Sequence, residues 1–178
     1  MKNRLKFLLV LLLLIFMNNG LFAEPLTQDD FLRIRPQKIV QHILYETYIN
    51  TDQGGAGVFG YHFDTYFTEN IYFPLAIFGA VMGGRGGYGI AAFGLGYNLE
   101  LMKNLCWDST ILIGTGGGGG LPCGNGLAFE LQSGLSYEII RNFSLEFRVG
   151  YLTYPSDRMS TPIINFGCSL SSERLILK

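Results

Sequence analysis

Charge is scarce in this chain. Lys, Arg, Asp and Glu make up 15% of its 178 residues, with a formal net charge of −1, whereas ordinary soluble domains carry about 25% charged residues. Beyond the first few positions there is no cluster of Lys or Arg, so the electrostatic footprint of a nucleic-acid binder is missing. Cysteine is sparse as well. Cys106, Cys123 and Cys168 are irregularly spaced and have no accompanying His pattern, which gives no zinc signature and at most one disulfide within the chain. We predict no metal site and no cofactor. After residue 23 no apolar run approaches the roughly 20 residues that a transmembrane helix needs, so a route across a membrane would have to use strands.

What the chain does carry starts at its N-terminus. Lys2, Arg4 and Lys6 precede an unbroken apolar run from Phe7 to Met17, followed by Asn18, Asn19 and Gly20. A positive start, a short apolar core and a polar break form the pattern of a secretory signal peptide, and the core is too short for a permanent helical anchor. We place the signal peptide at 1–23, with cleavage after Ala23, where no Cys stands ready to accept a lipid. Residues 24–37 show no clear period and read as a periplasmic lead-in. Residues 38–170 are enough for one domain with one core, and 171–178 read as a C-terminal tail.

Hydrophobic residues reach 48% and aromatic residues 14%, and they alternate with small and polar ones. Leu127, Phe129, Leu131, Leu135, Tyr137 and Ile139 are interleaved with Ala128, Glu130, Gln132, Gly134, Ser136 and Glu138, with Ser133 the one interruption on the apolar face. Phe143 to Tyr154 and Phe59 to Phe67 repeat the pattern. A period of two marks strands with unlike faces. Eight segments carry it, near 38–49, 56–67, 71–82, 88–101, 105–115, 126–139, 143–154 and 162–170. Pro74 is awkward in the third, because it cannot donate to a ladder. The predicted fold class is all-β, an antiparallel up-and-down β-barrel of eight strands that spans a membrane, since closure removes both edges.

The connections alternate in length. Thr68-Glu69-Asn70, Met102-Lys103-Asn104 and Ile140-Arg141-Asn142 are three-residue turns that all end in Asn, a residue that tolerates the left-handed conformation such hairpins use. This loop length would pair Leu101 with Leu105 and Ile139 with Phe143. The other connections, near 50–55, 83–87, 116–125 and 155–161, are longer and several are rich in Gly or Pro. Short turns at one rim and long loops at the other are the arrangement of transmembrane barrels.

On this signal, alternation and loop asymmetry, residues 38–170 resemble the small eight-stranded outer-membrane proteins of diderm bacteria, the OmpX-like, OmpW-like and OmpA-transmembrane-like barrels. The resemblance implies an outer-membrane location, contact with outer-membrane lipid, delivery by the barrel assembly machinery and no nucleic-acid partner. Barrels of this group end on an aromatic residue, whereas here Ile164, Phe166, Cys168 and Leu170 are followed by Ser171 to Lys178. Those resembling lipid A deacylases carry a His and a Ser in a short motif near the end. The stretch from Tyr151 to Asn165 has no His, so an enzyme of that type is not expected.

Alternation does not say which face is inside, and a secreted lipocalin-like barrel binding an apolar ligand would show the same pattern with the faces inverted. Gly60, Ala92, Gly94, Gly96, Gly134 and Gly150 on the polar face solvate poorly and suit a narrow lumen instead. The predicted lumen network comprises Glu46, His62, Asp64, Asn98, Glu100, Asp108, Glu130, Glu146 and Arg148, with Glu138 on the same face. Strand pairing places Arg148 opposite Gly134, which leaves room for the guanidinium, and Asn98 opposite Asp108. His42 and Glu46 with His62 and Asp64 are the one constellation that could form a metal or acid-base cluster; we read them as part of the plug and expect no catalytic residues. The run Gly116 to Gly120 lacks the Lys-Ser/Thr pair of a phosphate loop and reads as a flexible surface loop, with Cys123 as a point of intermolecular contact. Trp107, near a short turn on the apolar face, is the expected membrane-interface anchor. The expected role is structural or surface contact through the longer loops, which could also hold a surface ligand; a narrow channel for small or apolar solutes is the alternative.

Overall fold

The computed structural model describes residues 34–49, 55–83, 87–119, 121–157 and 159–177. Within them eight strands, β1 (Ile34–Tyr48), β2 (Ala56–Tyr66), β3 (Ile71–Met82), β4 (Gly89–Met102), β5 (Leu105–Gly117), β6 (Leu127–Ile140), β7 (Phe143–Tyr154) and β8 (Met159–Leu177), form one closed barrel in sequence order. The compact unit Pro36–Arg174 is the barrel. From β1 to β8, successive strands pair antiparallel. At the seam, Ile49 N–H donates to Pro162 O at 3.1 Å. The predicted signal peptide and residues 24–33 of the lead-in lie outside the described residues.

Three boundaries differ from the sequence reading by three residues or more. β8 begins at Met159, within the predicted loop 155–161. β1 begins at Ile34, inside the predicted lead-in, and β8 continues to Leu177, so residues 171–177 of the predicted tail are strand. Alternation weakens in both places, but a strand ends where its ladder hydrogen bonds end rather than where its pattern does. Pro74 fits by leaving a gap. It sits opposite Asp64 of β2, while the β3–β4 register passes from Tyr72↔Gly96 to Leu75↔Phe93 without partners for Phe73 and Pro74.

The three turns divide into two kinds. Asn104 and Asn142 have φ of 67° and 68°, as their position requires, and each is preceded by a bulge: Met102, not Leu101, faces Leu105, and Ile140, not Ile139, faces Phe143. One extra residue on the incoming strand is what a left-handed residue at the end of such a loop produces. Asn70 departs from the expectation, for it is not among the positive-φ residues. Its turn is organised by Thr68, whose Oγ1 accepts from the N–H groups of Asn70 (3.3 Å) and Ile71 (2.9 Å). The Asn70 side chain donates to Asn98 O at 2.8 Å, tying two turns' strands together.

The barrel also decides the faces. Ile77, Leu95, Ile111 and Phe166 point outward and are 60%, 58%, 61% and 57% exposed, and the same wall carries Ile43, Phe59, Leu75, Phe93, Leu131, Leu135 and Phe147. On the alternate face Glu46, Asp64, Asp108, Glu130, Glu146 and Arg148 are buried inside. This is the inverse of a lipocalin, so that reading is set aside: contiguous exposed apolar surface of this extent is foreign to a soluble monomer. Exposed aromatic side chains on the outer wall include Phe67, Tyr97, Trp107 and Tyr137 towards the short turns and Phe59, Phe129 and Tyr151 towards the long loops.

Candidate functional site

Along its axis the lumen changes character in layers. At the short-turn end a polar cavity of about 260 Å³ opens, with Lys38, Glu100, Lys103, Cys106 and Glu138 among its walls and Asp108, Glu146 and Arg148 at its floor. Lys38 lies over the Tyr66 ring, 4.4 Å from its centroid. Glu138 accepts the Asn142 N–H at 2.7 Å and so serves the turn.

The floor is an ion network made by residues from strands distant in sequence. Arg148 Nη1 lies 3.1 Å from Asp108 Oδ1 and its Nη2 lies 3.0 Å from Glu146 Oε2. His42 stands between Glu146, 3.0 Å from Nδ1, and Asp64, 2.8 Å from Nε2. Tyr72 OH donates to Asp108 Oδ2 at 2.7 Å and lies 2.6 Å from Thr110 Oγ1. Small residues make the room. A Cβ at Gly134 would come within 2.1 Å of Phe147 O and 2.6 Å of Arg148 Cα, and one at Gly96 would strike the Tyr72 ring. The predicted Gly134–Arg148 and Asn98–Asp108 pairings are both present.

Above the floor, Glu46, Glu130, Gln132 and Asn165 form a second polar layer, all buried. Gln132 Nε2 donates to Glu46 Oε2 at 3.3 Å and also to Glu130 Oε1. The upper lumen, towards the long loops, is apolar: Tyr48, Val58, Phe78, Ile90, Leu112, Leu152 and Ile163 pack together. Tyr88 lies 3.2 Å from the Tyr48 hydroxyl and 2.9 Å from that of Tyr154.

Of the predicted lumen residues, Glu46, His62, Asp64, Asp108, Glu130, Glu146 and Arg148 are buried inside, Asn98 is half-buried, and Glu100 is exposed at the mouth and outside the network. Of the constellation of two His and two acids, only Glu46 separates, turning to Gln132. His42 joins Asp64, and His62 lies edge-on to both His42 and Phe78, with centroids 6.0 and 5.0 Å apart. The sequence reading missed Tyr72, Thr110 and Asn165. Tyr72 and Thr110 could have been found by following the even-numbered face through β3 and β5; Asn165 lies on the odd-numbered face of β8, which parity carried over from other strands does not reveal.

The glycine-rich connection is a cap rather than a free surface loop. Leu121 and Cys123 are buried in the apolar upper lumen. Local hydrogen bonds hold the fold of the segment, from Cys123 N–H to Leu121 O (2.9 Å) and from Gly126 N–H to Cys123 O (2.8 Å). Ser156 Oγ in the next loop accepts from Asn125 N–H at 3.0 Å. Cys123 is therefore not available for intermolecular contact. All three cysteines are free. Among the described residues no group of three or more His, Cys, Asp or Glu is arranged to hold a metal ion.

No protein-family model matches the chain, and no curated protein sequence does either. Solved structures do. The chain is similar to a de novo designed transmembrane β-barrel, with a TM-score of 0.58 at 10% identity over 78% of this chain and 98% of that one. It is similar to the N-terminal β-barrel domain of Pseudomonas aeruginosa OprF, at 0.56 and 9% identity over 76% and 97%. The attachment invasion locus protein Ail of Yersinia pestis gives 0.53 at 9% identity over 78% and 99%. With identities this low the likeness is one of fold, and that fold is the closed eight-stranded barrel of the small transmembrane β-barrel proteins.

Proposed function

We propose that this chain is a non-enzymatic outer-membrane barrel of a diderm bacterium, with a structural or surface-contact role. The observation that carries the reading is the pairing of an apolar outer wall with a charged, side-chain-filled lumen. An outer wall of this kind suits hydrocarbon, and inward charges that are paired avoid the cost of isolated ones. Trp107 and its neighbour Tyr97, with ring centroids 6.5 Å apart, suit the headgroup level at the short-turn side, which faces the periplasm in such barrels. Insertion would fall to the barrel assembly machinery.

The filled lumen argues against a channel. The polar cavity at the short-turn end meets the ion network, and the apolar upper half is closed further by Leu121 and Cys123. Both ring nitrogens of His42 face carboxylates, which leaves neither free to take a proton from a substrate and supports a non-enzymatic role. The similar barrel from Yersinia pestis is named an attachment invasion locus protein, and this use of the fold supports surface contact through the longer loops. Refolding with brominated phospholipids tests the location: Trp107 emission should be quenched most by bromines near the headgroup, and planar-bilayer recordings should stay silent. Emission indifferent to brominated lipid, from protein soluble without detergent, would overturn the membrane assignment. Steady single-channel conductance would overturn the filled lumen.

A further inference from the structure

The second polar layer is not satisfied by the protein around it. Glu46 Oε1, Glu130 Oε2, Gln132 Oε1 and Asn165 Oδ1 are all buried without a hydrogen-bond partner among the described residues. Native interiors leave few such atoms, and each one calls for an explanation. Here these four, and Asn165 Nδ2 beside them, come from one group of side chains, linked through Gln132 Nε2, with Asn165 and Tyr48 approaching the Glu46 carboxyl.

Charge points the same way. Among the described residues the buried acids are Glu46, Asp64, Asp108, Glu130 and Glu146, while the basic side chains that pair with them are Arg148 and His42. Both of these are spent on Asp64, Asp108 and Glu146. Glu46 and Glu130 are left with an amide as their common donor, and a buried carboxylate without a counter-charge is strongly unfavourable. Apart from Asn165 Nδ2, the free atoms of this layer are oxygens of carboxyl and amide groups, with no thiol or imidazole among them. Such a set selects hard cations, and two carboxylates balance a double charge. Calcium accepts carboxylate and amide oxygens in flexible geometry, whereas magnesium holds its waters and demands octahedral order.

We propose that Glu46, Glu130, Gln132 and Asn165 form a buried site for one hard divalent cation, calcium in preference to magnesium, taken up as the barrel closes. The site differs from a group of three His, Cys, Asp or Glu residues because half of its donors are amides.

The test uses the chain refolded into detergent micelles from an EDTA-treated denatured stock, in calcium or in EDTA, beside E46Q/E130Q, which keeps the shape of both side chains. The expected result is about one retained calcium per chain after desalting and a melting temperature higher by roughly 5–10 °C in calcium, as a ligand at about 100 times its Kd gives. Both effects should be absent from E46Q/E130Q. Equal melting temperatures and no retained metal in the wild-type chain would overturn the proposal and assign the layer to protons and water. Calcium retained equally by E46Q/E130Q would overturn it too. Should that variant fail to fold, terbium replaces calcium in the wild-type chain: tyrosine-excited terbium emission that is displaced by calcium and falls most in Tyr48→Phe supports the site. Emission unchanged in Tyr48→Phe would place the ion elsewhere.

Discussion

Ser109 and Ser133 face each other across β5 and β6 on the outer wall, with their hydroxyl oxygens 2.9 Å apart. Ser133 is the residue that breaks the apolar face of β6 in the sequence, and its hydroxyl also donates to Asp108 O at 3.3 Å. In hydrocarbon the Ser109 hydroxyl would lose this partner without Ser133, and Ser133 would keep only the Asp108 carbonyl without Ser109. Ser133→Ala should therefore destabilise by about 1 kcal/mol, Ser109→Ala by a similar amount, and the double variant by clearly less than their sum. Urea unfolding in detergent measures all three. Strict additivity would mean that the hydroxyls do not interact.

The turns make a second test, because two Asn residues are chosen for φ and one is not. Asn142→Gly and Asn104→Gly should be nearly neutral, while Asn142→Val and Asn104→Val should cost about 1–2 kcal/mol for a β-branched residue in the left-handed region. At Asn70 the side-chain bond to Asn98 O is what matters. Asn70→Gly should weaken the barrel as much as Asn70→Val does. A tolerated Asn70→Gly with a poorly tolerated Asn70→Val would show that Asn70 occupies the left-handed region after all.

Arg148 balances Asp108 and Glu146 from a fully buried position. Removing one partner of such a network leaves uncompensated charge, so Arg148→Met should destabilise by about 3–5 kcal/mol. Gly134→Leu should be as damaging for a steric reason, since any Cβ there meets the Phe147 carbonyl. Unchanged heat-modifiability on gels and an unchanged urea midpoint for Arg148→Met would mean that the floor of the cavity is solvated.

The cap can be read out through its thiol. Cys123 is buried in the apolar upper lumen, which keeps a reagent from its thiol. A chain with Cys123 as its single thiol (C106S/C168S) should react with a maleimide at least about tenfold more slowly than one with Cys106 alone (C123S/C168S), which opens to the cavity. Unfolding in urea should equalise the rates. Equal rates in the folded protein would show that the segment around Leu121 and Cys123 lifts away from the lumen.

Much of this architecture is local and therefore legible in the chain itself. The alternation of Leu127 to Ile139, the short Asn-ended turns and the Gly134–Arg148 pairing all depend on residues within one hairpin, where a period of two and a turn length fix the register. Eight such segments are enough to close a barrel. Alternation alone did not determine which face turns inward, because it looks the same when the faces are exchanged; the small residues on the polar face pointed to a lumen, and the barrel places the buried charged residues there. Nor did the sequence determine which lumen residues meet, since Glu46 reaches Gln132 and His42 reaches Glu146 only across a closed barrel. Those encounters depend on the stagger accumulated over all eight strands and on the β1–β8 seam, where no turn sets the register. The glycine-rich loop shows the same limit: its composition permits many conformations, and burial of Leu121 and Cys123 in the apolar upper lumen selects one.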